Sequence, residues 1–214
     1  MKLRRFITFE GPEACGKSTQ IERLHQRLVE RGQKVLLTRE PGGTPLGESI
    51  RHLLKHAPEG AEATPEAQLL LFAASRAEIV RKVIRPFLLE GGWVLCDRFC
   101  DSTVVFQGGA AGLEERVVMQ VNAVAMGDCL PGLTLLLDIP VEESLRRLTL
   151  RSRPQGERDH FDDQSKSYFE KVREGYLALA EKEHPRIQRL DGLHSVEEVE
   201  HHIWERVSHA FSIE

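Results

Sequence analysis

Gly11–Ser18 read GPEACGKS, which fits the phosphate-loop pattern Gly-x-x-x-x-Gly-Lys-Ser/Thr. The apolar run Phe6–Phe9 before this loop predicts a buried strand. Apolar residues after the loop recur at the spacing of an amphipathic helix, at Ile21, Leu24 and Leu28. A glycine-rich turn between a strand and a helix directs backbone N–H groups and the helix dipole at an anion. These surroundings favour a nucleoside triphosphate site over an incidental glycine-rich turn.

The loop residues bring their own chemistry to this site. Lys17 places a positive charge near the outer phosphates, and the Ser18 hydroxyl is an oxygen ligand of the kind that Mg²⁺ prefers. Cys15 is interpreted as a small residue that fits the loop, not as a nucleophile. The predicted triphosphate contacts are the loop and the residue after it: Gly11, Pro12, Glu13, Ala14, Cys15, Gly16, Lys17, Ser18 and Thr19.

Length and composition fit one globular domain that spans residues 1–214. The 214 residues are 41% hydrophobic, which is enough for one well-buried core. A formal net charge of −4 provides no basic field to hold a nucleic acid. With no apolar run of membrane-spanning length and no signal-peptide pattern, we expect a cytoplasmic protein without a membrane partner. The four cysteines lack metal-site spacing and are expected to be free thiols.

Short apolar runs alternate with amphipathic segments along the chain. The predicted strands are Phe6–Phe9, Val35–Thr38, Trp93–Asp97, Leu133–Asp138 and Ile187–Leu190. This alternation predicts the α/β class, with a parallel sheet covered by helices on both faces. Since such sheets bind ligands at the carboxyl ends of their strands, we expect the site to be assembled from several distant segments. The segment Ala57–Thr64 is predicted to be a surface loop.

A polar stretch at about 152–163, SRPQGERDHFDD, is predicted to form a short cationic flap, or lid. It carries the cations Arg153 and Arg158 together with Pro154 and Gly156, and predicted helices flank it on both sides. The alternative is an ordinary solvated loop. The phosphate chemistry expected nearby favours the flap.

Other strand ends and helices carry residues suited to a second, phosphorylated substrate. In Thr38–Thr44, TREPGGT, an arginine leaves a strand and precedes a turn with exposed backbone. In Leu71–Arg76, LFAASR, Phe72 and Arg76 lie on one face of a helix and suit a flat base with carbonyl oxygens. The alternative for this pair is a core phenylalanine beside a surface arginine.

Asp97–Arg98 stands at another predicted strand end. The carboxylate is suited to a hydrated Mg²⁺ and the guanidinium to a phosphate. The alternative is a buried structural ion pair. The nearby segment Ser102–Gly108, STVVFQG, adds small hydroxyls and an aromatic ring.

Taken together, these segments resemble the thymidylate kinase family over nearly the whole chain. The motifs that carry the resemblance are FEGPEACGKST, TREPGGT, LFAASR, DRF and STVVFQG, at 9–19, 38–44, 71–76, 97–99 and 102–108. The resemblance implies a P-loop kinase fold with a five-stranded parallel sheet flanked by helices. It also implies Mg-ATP as the phosphate donor, dTMP as the acceptor and a homodimer. It also implies that a flap arginine, Arg153 or Arg158, joins Lys17 and Arg98 in catalysis.

Further roles follow from the resemblance position by position. Glu13 is expected near the sugar 3′-hydroxyl, Arg39 and Arg98 on the acceptor phosphate, Phe72 against thymine and Arg76 at its O4 edge. The full expected acceptor set is Glu13, Arg39, Pro41, Phe72, Arg76, Arg98, Thr103, Phe106 and Gln107, and the metal set is Ser18 and Asp97. Arg147 or Arg151 is expected at the donor nucleotide.

This chain departs from the family pattern in two places. Phe106 stands where the family usually has a tyrosine beside the deoxyribose, so discrimination against ribose is expected to be looser. Asp159–Asp162, DHFD, stands where the flap usually has Asp-Arg-x-Glu, and Ala14 stands where one branch has a catalytic arginine in the loop. The missing charge is therefore expected from Arg153 or Arg158.

Two other functions remain open from the sequence. A kinase for another nucleotide or nucleoside is one, although paired arginines favour an acceptor that already bears a phosphate. A nucleotide-dependent switch is the other, although no water-positioning residue or partner surface is evident. The apolar stripe of Glu114–Met126 fits either a dimer face or the core.

Overall fold

Five parallel strands form one sheet in the computed structural model, which describes residues 2–150 and 164–213. The strands are β1 (Phe6–Glu10), β2 (Val35–Arg39), β3 (Trp93–Asp97), β4 (Leu133–Asp138) and β5 (Ile187–Asp191). Their order across the sheet is β2-β3-β1-β4-β5. The predicted α/β class and parallel sheet are confirmed, and β1, β2 and β5 each end one residue later than predicted.

Helices connect and cover the strands. They are α1 (Lys17–Glu30), α2 (Pro45–His56), α3 (Pro58–Ala61), α4 (Pro65–Ile79), α5 (Arg85–Leu89), α6 (Cys100–Thr103), α7 (Glu115–Met126), α8 (Val141–Leu150), α9 (Lys166–Lys182) and α10 (Val196–Phe211). Wider π-helical turns follow α4 at Val80–Ile84 and α6 at Val104–Ala110. No helix in the described ranges is both long and apolar enough to cross a membrane.

The starts of the helices next to the site are fixed by local sequence. The Thr44 hydroxyl accepts a hydrogen bond from the Gly47 N–H, and Thr64 does the same at the start of α4. Proline follows each threonine at the first helical position, where its missing N–H costs nothing. These caps fix where α2 and α4 begin relative to the ends of the strands.

The prediction that 57–64 is only a surface loop is wrong in its middle. Pro58–Ala61 form the short helix α3, with Pro58 at its first position. Gly60 lets this turn lie against α2, because a Cβ there would be 1.9 Å from the carbonyl oxygen of Leu53. The close approach of two backbones, invisible in composition, therefore decides the local structure.

The core lies on both faces of the sheet, as expected for buried parallel strands. Alternate residues of β1 point to opposite sides: Ile7 and Phe9 join the cluster under α1 and α10, whereas Phe6 joins the cluster under α4 and α5. A third cluster packs α9 against β4 and β5. Because β1 is central and fully buried, the loop that follows it has a rigid base.

Two bidentate Arg–Asp pairs, one buried and one exposed, allow a test of how burial changes the contribution of an ion pair to stability. Arg186 binds Asp101 through two hydrogen bonds of 2.8 Å, and the side chains are only 15% and 4% exposed. Arg85 binds Asp128 in the same way on the surface, with 44% and 53% exposed.

We predict that Arg186→Met lowers the free energy of unfolding by about 3–5 kcal/mol, because it leaves the Asp101 carboxylate buried without its partner. Arg85→Met is the matched control and should change the free energy of unfolding little, since water solvates both side chains of the exposed Arg85–Asp128 pair. Guanidinium unfolding of the two variants measures the difference. Equal shifts in the midpoint would contradict the argument.

Candidate active site

The loop after β1 has the backbone that an anion site requires. Gly11 and Gly16 have φ angles of 138° and 103°, a region that other residues rarely occupy. A Cβ at Gly11 would lie 2.2 Å from the carbonyl oxygen of Leu137, so β4 leaves room only for glycine. The loop thus wraps closely over the sheet and leads into α1.

Lys17 is held in place by hydrogen bonds to the phosphate loop. Its Nζ donates to the carbonyl oxygens of Gly11 and Pro12 at 3.1 and 2.9 Å, and the residue is only 7% exposed. These contacts hold Lys17 in the lining of a cavity of about 510 Å³. The cavity is lined by Glu13, Ala14, Cys15, Gly16, Lys17, Ser18, Thr19, Arg39, Glu40, Arg51, Lys55, His56, Asp97, Arg98 and Arg147.

A narrower pocket adjoins this cavity and holds most of the predicted acceptor residues. Its lining is Glu13, Glu40, Pro41, Lys55, Phe72, Arg76, Arg98, Phe99, Ser102, Thr103, Phe106 and Gln107. Glu13, Glu40, Lys55 and Arg98 line both spaces. Arg39 lines only the larger cavity, where its Nη2 donates to Glu48 at 3.0 Å.

Arg76 is fully buried, so the alternative of a surface arginine is wrong. Its Nε donates to Glu40 at 2.8 Å and its Nη1 to Asn122 at 2.6 Å. Its Nη2 donates to the Phe99 carbonyl and the Thr103 hydroxyl at 3.1 and 2.9 Å. A guanidinium has five N–H donors, so within the described residues one hydrogen on Nη1 is left for a ligand.

Glu40 is a buried carboxyl that has a hydrogen-bond partner at only one of its two oxygen atoms among the described residues. Burial raises the pKa of Glu40 to about 7, and Arg76 opposes that rise. Glu40 Oε2 accepts from Arg76, whereas Oε1 is buried and has no hydrogen-bond partner among the described residues.

Arg98 joins the two spaces. Its backbone is left-handed, with φ of 66°, and its side chain is 15% exposed. Its Nη2 donates to Glu13 Oε1 at 2.5 Å. Burial alone would raise the pKa of Glu13, but the charges of Arg98, Lys17 and Lys55 outweigh burial and hold that pKa far below its usual range. Among the described residues Arg98 thus pairs with Glu13, and more distantly with Glu10 at 3.9 Å, but not with Asp97.

Asp97 and Ser18 offer oxygen atoms to the same cavity. Asp97 Oδ1 is buried and has no hydrogen-bond partner among the described residues. A carboxylate oxygen and a hydroxyl beside a triphosphate loop suit Mg²⁺, which takes oxygen ligands and retains several waters. These two residues therefore fit the metal that the sequence predicted.

Several lining residues were missed by sequence reasoning. Arg51 and Lys55 lie one turn apart on α2, and Arg51 Nη1 donates to the Pro41 carbonyl at 3.1 Å. Their spacing after TREPGGT was a usable signal. Glu10 and Tyr176 contact Arg98 or its partners, and nothing in the local sequence around Tyr176 indicates this.

Arg147 lines the large cavity, where its Nε donates to Glu143 at 2.6 Å and its Nη2 to the Gly192 carbonyl at 3.2 Å. The predicted flap at 152–163, with Arg153 and Arg158, lies outside the described residues, as does Arg151. Their roles stay predictions.

A phosphate loop at the end of a central parallel strand, next to a pocket that pairs an aromatic ring with arginines, defines a P-loop kinase of small phosphorylated acceptors. The profile of the family described as Thymidylate kinase matches residues 9–203. The chain belongs to the thymidylate kinase family.

Individual relatives agree with this assignment. A thymidylate kinase of Syntrophotalea carbinolica is 46% identical over 210 residues, which cover 97% of each chain. That of Deinococcus radiodurans is 42% identical over 203 residues, covering 95% of this chain and 96% of the relative. The crystal structure of thymidylate kinase from Ehrlichia chaffeensis matches with a TM-score of 0.75 and 31% identity, covering 95% of this chain and 97% of that one. The predicted family and enzyme class are confirmed, and the family's activity is phosphorylation of dTMP to dTDP with ATP.

The hydrogen bonds around Arg76 generate a prediction. Thr103→Val keeps the side-chain shape but removes one acceptor from a buried guanidinium. Because a hydrogen bond to a charged group contributes about 1.5–3 kcal/mol and three others remain, we expect the KM for dTMP to rise roughly threefold to tenfold. The KM for ATP should stay within about twofold.

Thr149→Val is the control, since Thr149 is an exposed residue of α8 whose hydroxyl donates to the Leu145 carbonyl. Steady-state kinetics with each substrate varied in turn gives the comparison. A Thr103→Val enzyme with an unchanged KM for dTMP would show that this hydroxyl does not position Arg76.

Proposed function

We propose that this chain transfers the γ-phosphoryl group of Mg-ATP to dTMP across the boundary between the two adjoining spaces. The observation that carries the proposal is that Glu13 and Arg98 line both the triphosphate cavity and the narrow pocket. A nucleotide phosphate at Arg98 would then face the outer phosphates held near Lys17. The residues that line both spaces would thus bring the phosphates of ATP and dTMP together.

The narrow pocket is suited to thymine. Phe72 and Arg76 both line it, and Arg76 has one N–H still available among the described residues. A carbonyl oxygen at the base's O4 position accepts from that donor. The amino group of cytosine would instead present a donor to a donor, and such mispairing discriminates strongly in a buried site.

Little covalent chemistry is required of the protein. The oxygen of the acceptor phosphate is already ionised and nucleophilic, so the proposed mechanism has no general base. Lys17 and Arg98 hold the reacting phosphates in line and offset the charge that develops on the transferred group. Positioning and positive charge carry the catalysis.

Ser18 and Asp97 are proposed to hold Mg²⁺, the first through its hydroxyl and the second through its free buried oxygen, directly or through water. When bound, the ion offsets charge on the β- and γ-phosphates. The loop position Ala14 contributes no charge, so we propose that Arg153 or Arg158 supplies the remaining cation. Such an arginine contributes about 10³–10⁵ in rate in related systems.

A homodimer is proposed to form through α7. Val118 and Asn122 on this helix are buried in the fold, whereas Val117 and Val124 on its outer side are 40% and 75% exposed. The stripe predicted from the sequence is thus partly core and partly an apolar face open to a second copy. We also propose a single catalytic domain over 1–214 and a cytoplasmic enzyme without nucleic-acid or membrane partners.

A panel of acceptors tests the substrate. We expect ADP release from ATP to be strongly stimulated by dTMP, less by dUMP and little by dCMP or UMP, and to be lost when EDTA removes divalent cations. The no-acceptor reaction is the control. Acceptor-independent release, or a preference for another monophosphate, would contradict the substrate assignment while leaving the triphosphate site intact.

Phe106 provides a second test. Its ring lies beside Arg98, whose Cζ is 5.2 Å from the ring centroid, in the pocket proposed for the sugar and base. We predict that Phe106→Tyr raises the preference for dTMP over its ribose counterpart by about tenfold, because the added hydroxyl restores a polar group next to C2′.

Phe87→Tyr adds the same hydroxyl on α5, outside both spaces, and serves as the control. The measured quantity is the ratio of kcat/KM for the two acceptors. A ratio unchanged by Phe106→Tyr would mean that this ring only packs.

A further inference from the structure

One end of the Arg98 guanidinium is fixed by three oxygen atoms from three parts of the chain. Its Nη1 lies 3.1 Å from the Gly11 carbonyl, 3.2 Å from the Ser102 hydroxyl and 2.9 Å from the Tyr176 hydroxyl. Tyr176 belongs to α9, 78 residues away along the chain. Helix α9 therefore reaches an arginine assigned to the acceptor phosphate.

Glu10 anchors the two hydroxyls. Its Oε2 accepts from Ser102 at 2.6 Å and from Tyr176 at 2.9 Å, and its Oε1 accepts from the backbone N–H groups of Phe99 and Ser102. The carboxyl is completely buried at the end of β1. Because β1 is the central strand, the hydroxyl of Tyr176 is tied to the most rigid part of the sheet.

The direction of these hydrogen bonds is set by the chemistry of the groups. A guanidinium can only donate, so the Tyr176 oxygen accepts from Arg98. Burial and the charge of Glu10 raise the pKa of the Tyr176 phenol far above its usual value, so its own proton remains and is donated to Glu10. The phenol is therefore a fixed link between a carboxylate and the arginine.

This arrangement leaves the other edge of the guanidinium for a ligand. Among the described residues no acceptor bonds Nε, and Nη2 bonds only Glu13. Nε and Nη2 form the fork that suits two oxygens of a phosphate. Fixing Nη1 sets the direction in which that fork points.

From these contacts we propose that Tyr176 is a positioning residue for phosphoryl acceptance: its hydroxyl, held by Glu10, orients Arg98 toward the phosphate of the acceptor nucleotide. The proposal rests on the proposed role of Arg98. Simple packing does not require the hydroxyl, because the Tyr176 ring already packs edge-on against Phe106 with centroids 6.2 Å apart.

Tyr176→Phe tests the proposal, since it keeps the ring and removes only the hydroxyl. We expect the KM and Kd for dTMP to rise about tenfold, the loss of one hydrogen bond to a charged group, with the KM for ATP within about twofold. Thymidine, which has the same base and sugar but no phosphate, should bind the variant and the parent enzyme equally. Calorimetric titration with dTMP and with thymidine separates the two.

Tyr168→Phe is the matched control. Tyr168 lies two turns earlier on α9 and its ring contacts the same Phe106, at 6.4 Å, but it is not among the described residues that bond Arg98. We expect its dTMP affinity to stay within about twofold of the parent enzyme. A tenfold loss of dTMP affinity in Tyr168→Phe would show that removing a hydroxyl elsewhere on α9 weakens dTMP binding as much, and it would overturn the proposal.

A double-variant cycle tests whether the hydroxyl acts through Arg98. In an Arg98→Lys background, adding Tyr176→Phe should change the dTMP Kd by less than about twofold. A further tenfold loss there, or an equal loss of thymidine and dTMP affinity in the single variant, would overturn the proposal. If Tyr176→Phe unfolds, Ser102→Ala removes the neighbouring hydroxyl of the same network and should give the same selective loss of dTMP.

These outcomes are distinct from failure of the proposed function. If the parent enzyme is not stimulated by dTMP, the substrate assignment fails. If it is stimulated by dTMP and Tyr176→Phe has unchanged dTMP affinity, only the positioning role fails.

Discussion

The hydrogen bonds that tie Arg98 to the end of the central strand are the constraint on which the site depends. Glu10, the last residue of β1, binds backbone and hydroxyl groups of the segment after β3, and Arg98 stands at the start of that segment in a left-handed conformation. The phosphate loop leaves the same strand at Gly11. The triphosphate cavity and the acceptor pocket are therefore built on one support, and their separation is set by the spacing of adjacent parallel strands, not by a flexible hinge.

Each arginine proposed to meet the acceptor is held by a glutamate before any substrate is considered. Arg39 binds Glu48, Arg76 binds Glu40 and Arg98 binds Glu13. Uncompensated cations in such a confined space would repel one another and destabilise the fold. The carboxylates remove that repulsion and fix the rotamers, so less conformational entropy is lost when an anionic ligand binds.

Desolvation raises the pKa of all three glutamates around this site, but nearby charges make the outcomes differ. Burial raises the pKa of Glu40 to about 7, because Arg76 alone opposes it. The pKa of Glu10 is also raised, by burial and by Asp101. The pKa of Glu13 is lowered, because Arg98, Lys17 and Lys55 all act on it. Glu13 is therefore the carboxylate that remains charged beside Arg98 and Lys17, and its charge offsets the repulsion between these two cations.

How much of the structure the sequence could predict depends mainly on how far apart along the chain the interacting residues lie. The strands, the phosphate loop and the pairing of Phe72 with Arg76 depend on residues close in sequence, and the sheet then collects them at one edge. The link from Tyr176 to Arg98 joins residues 78 apart and depends on how α9 packs over β4. No periodicity records such a contact. The fit of Gly60 against Leu53 joins residues close in sequence and was missed for a different reason, because the space that a glycine leaves is visible only when both backbones are placed.

Strands and helices supply different parts of the site, and this difference explains why contacts between distant residues matter most for the acceptor. Strand ends carry most of the charges: Arg39 ends β2, Asp97 ends β3 and Arg98 follows it. Lys17 is the first residue of α1, after the loop that leaves β1. Helices α4, α6 and α9 bring the groups that shape the pocket and orient those charges, including Phe72, Thr103 and Tyr176. The triphosphate site is formed by the loop after β1 and the start of α1, and these residues are adjacent in the sequence. Recognising one nucleoside monophosphate also requires fixed direction, and fixed direction comes from helices that pack against the sheet from distant parts of the chain.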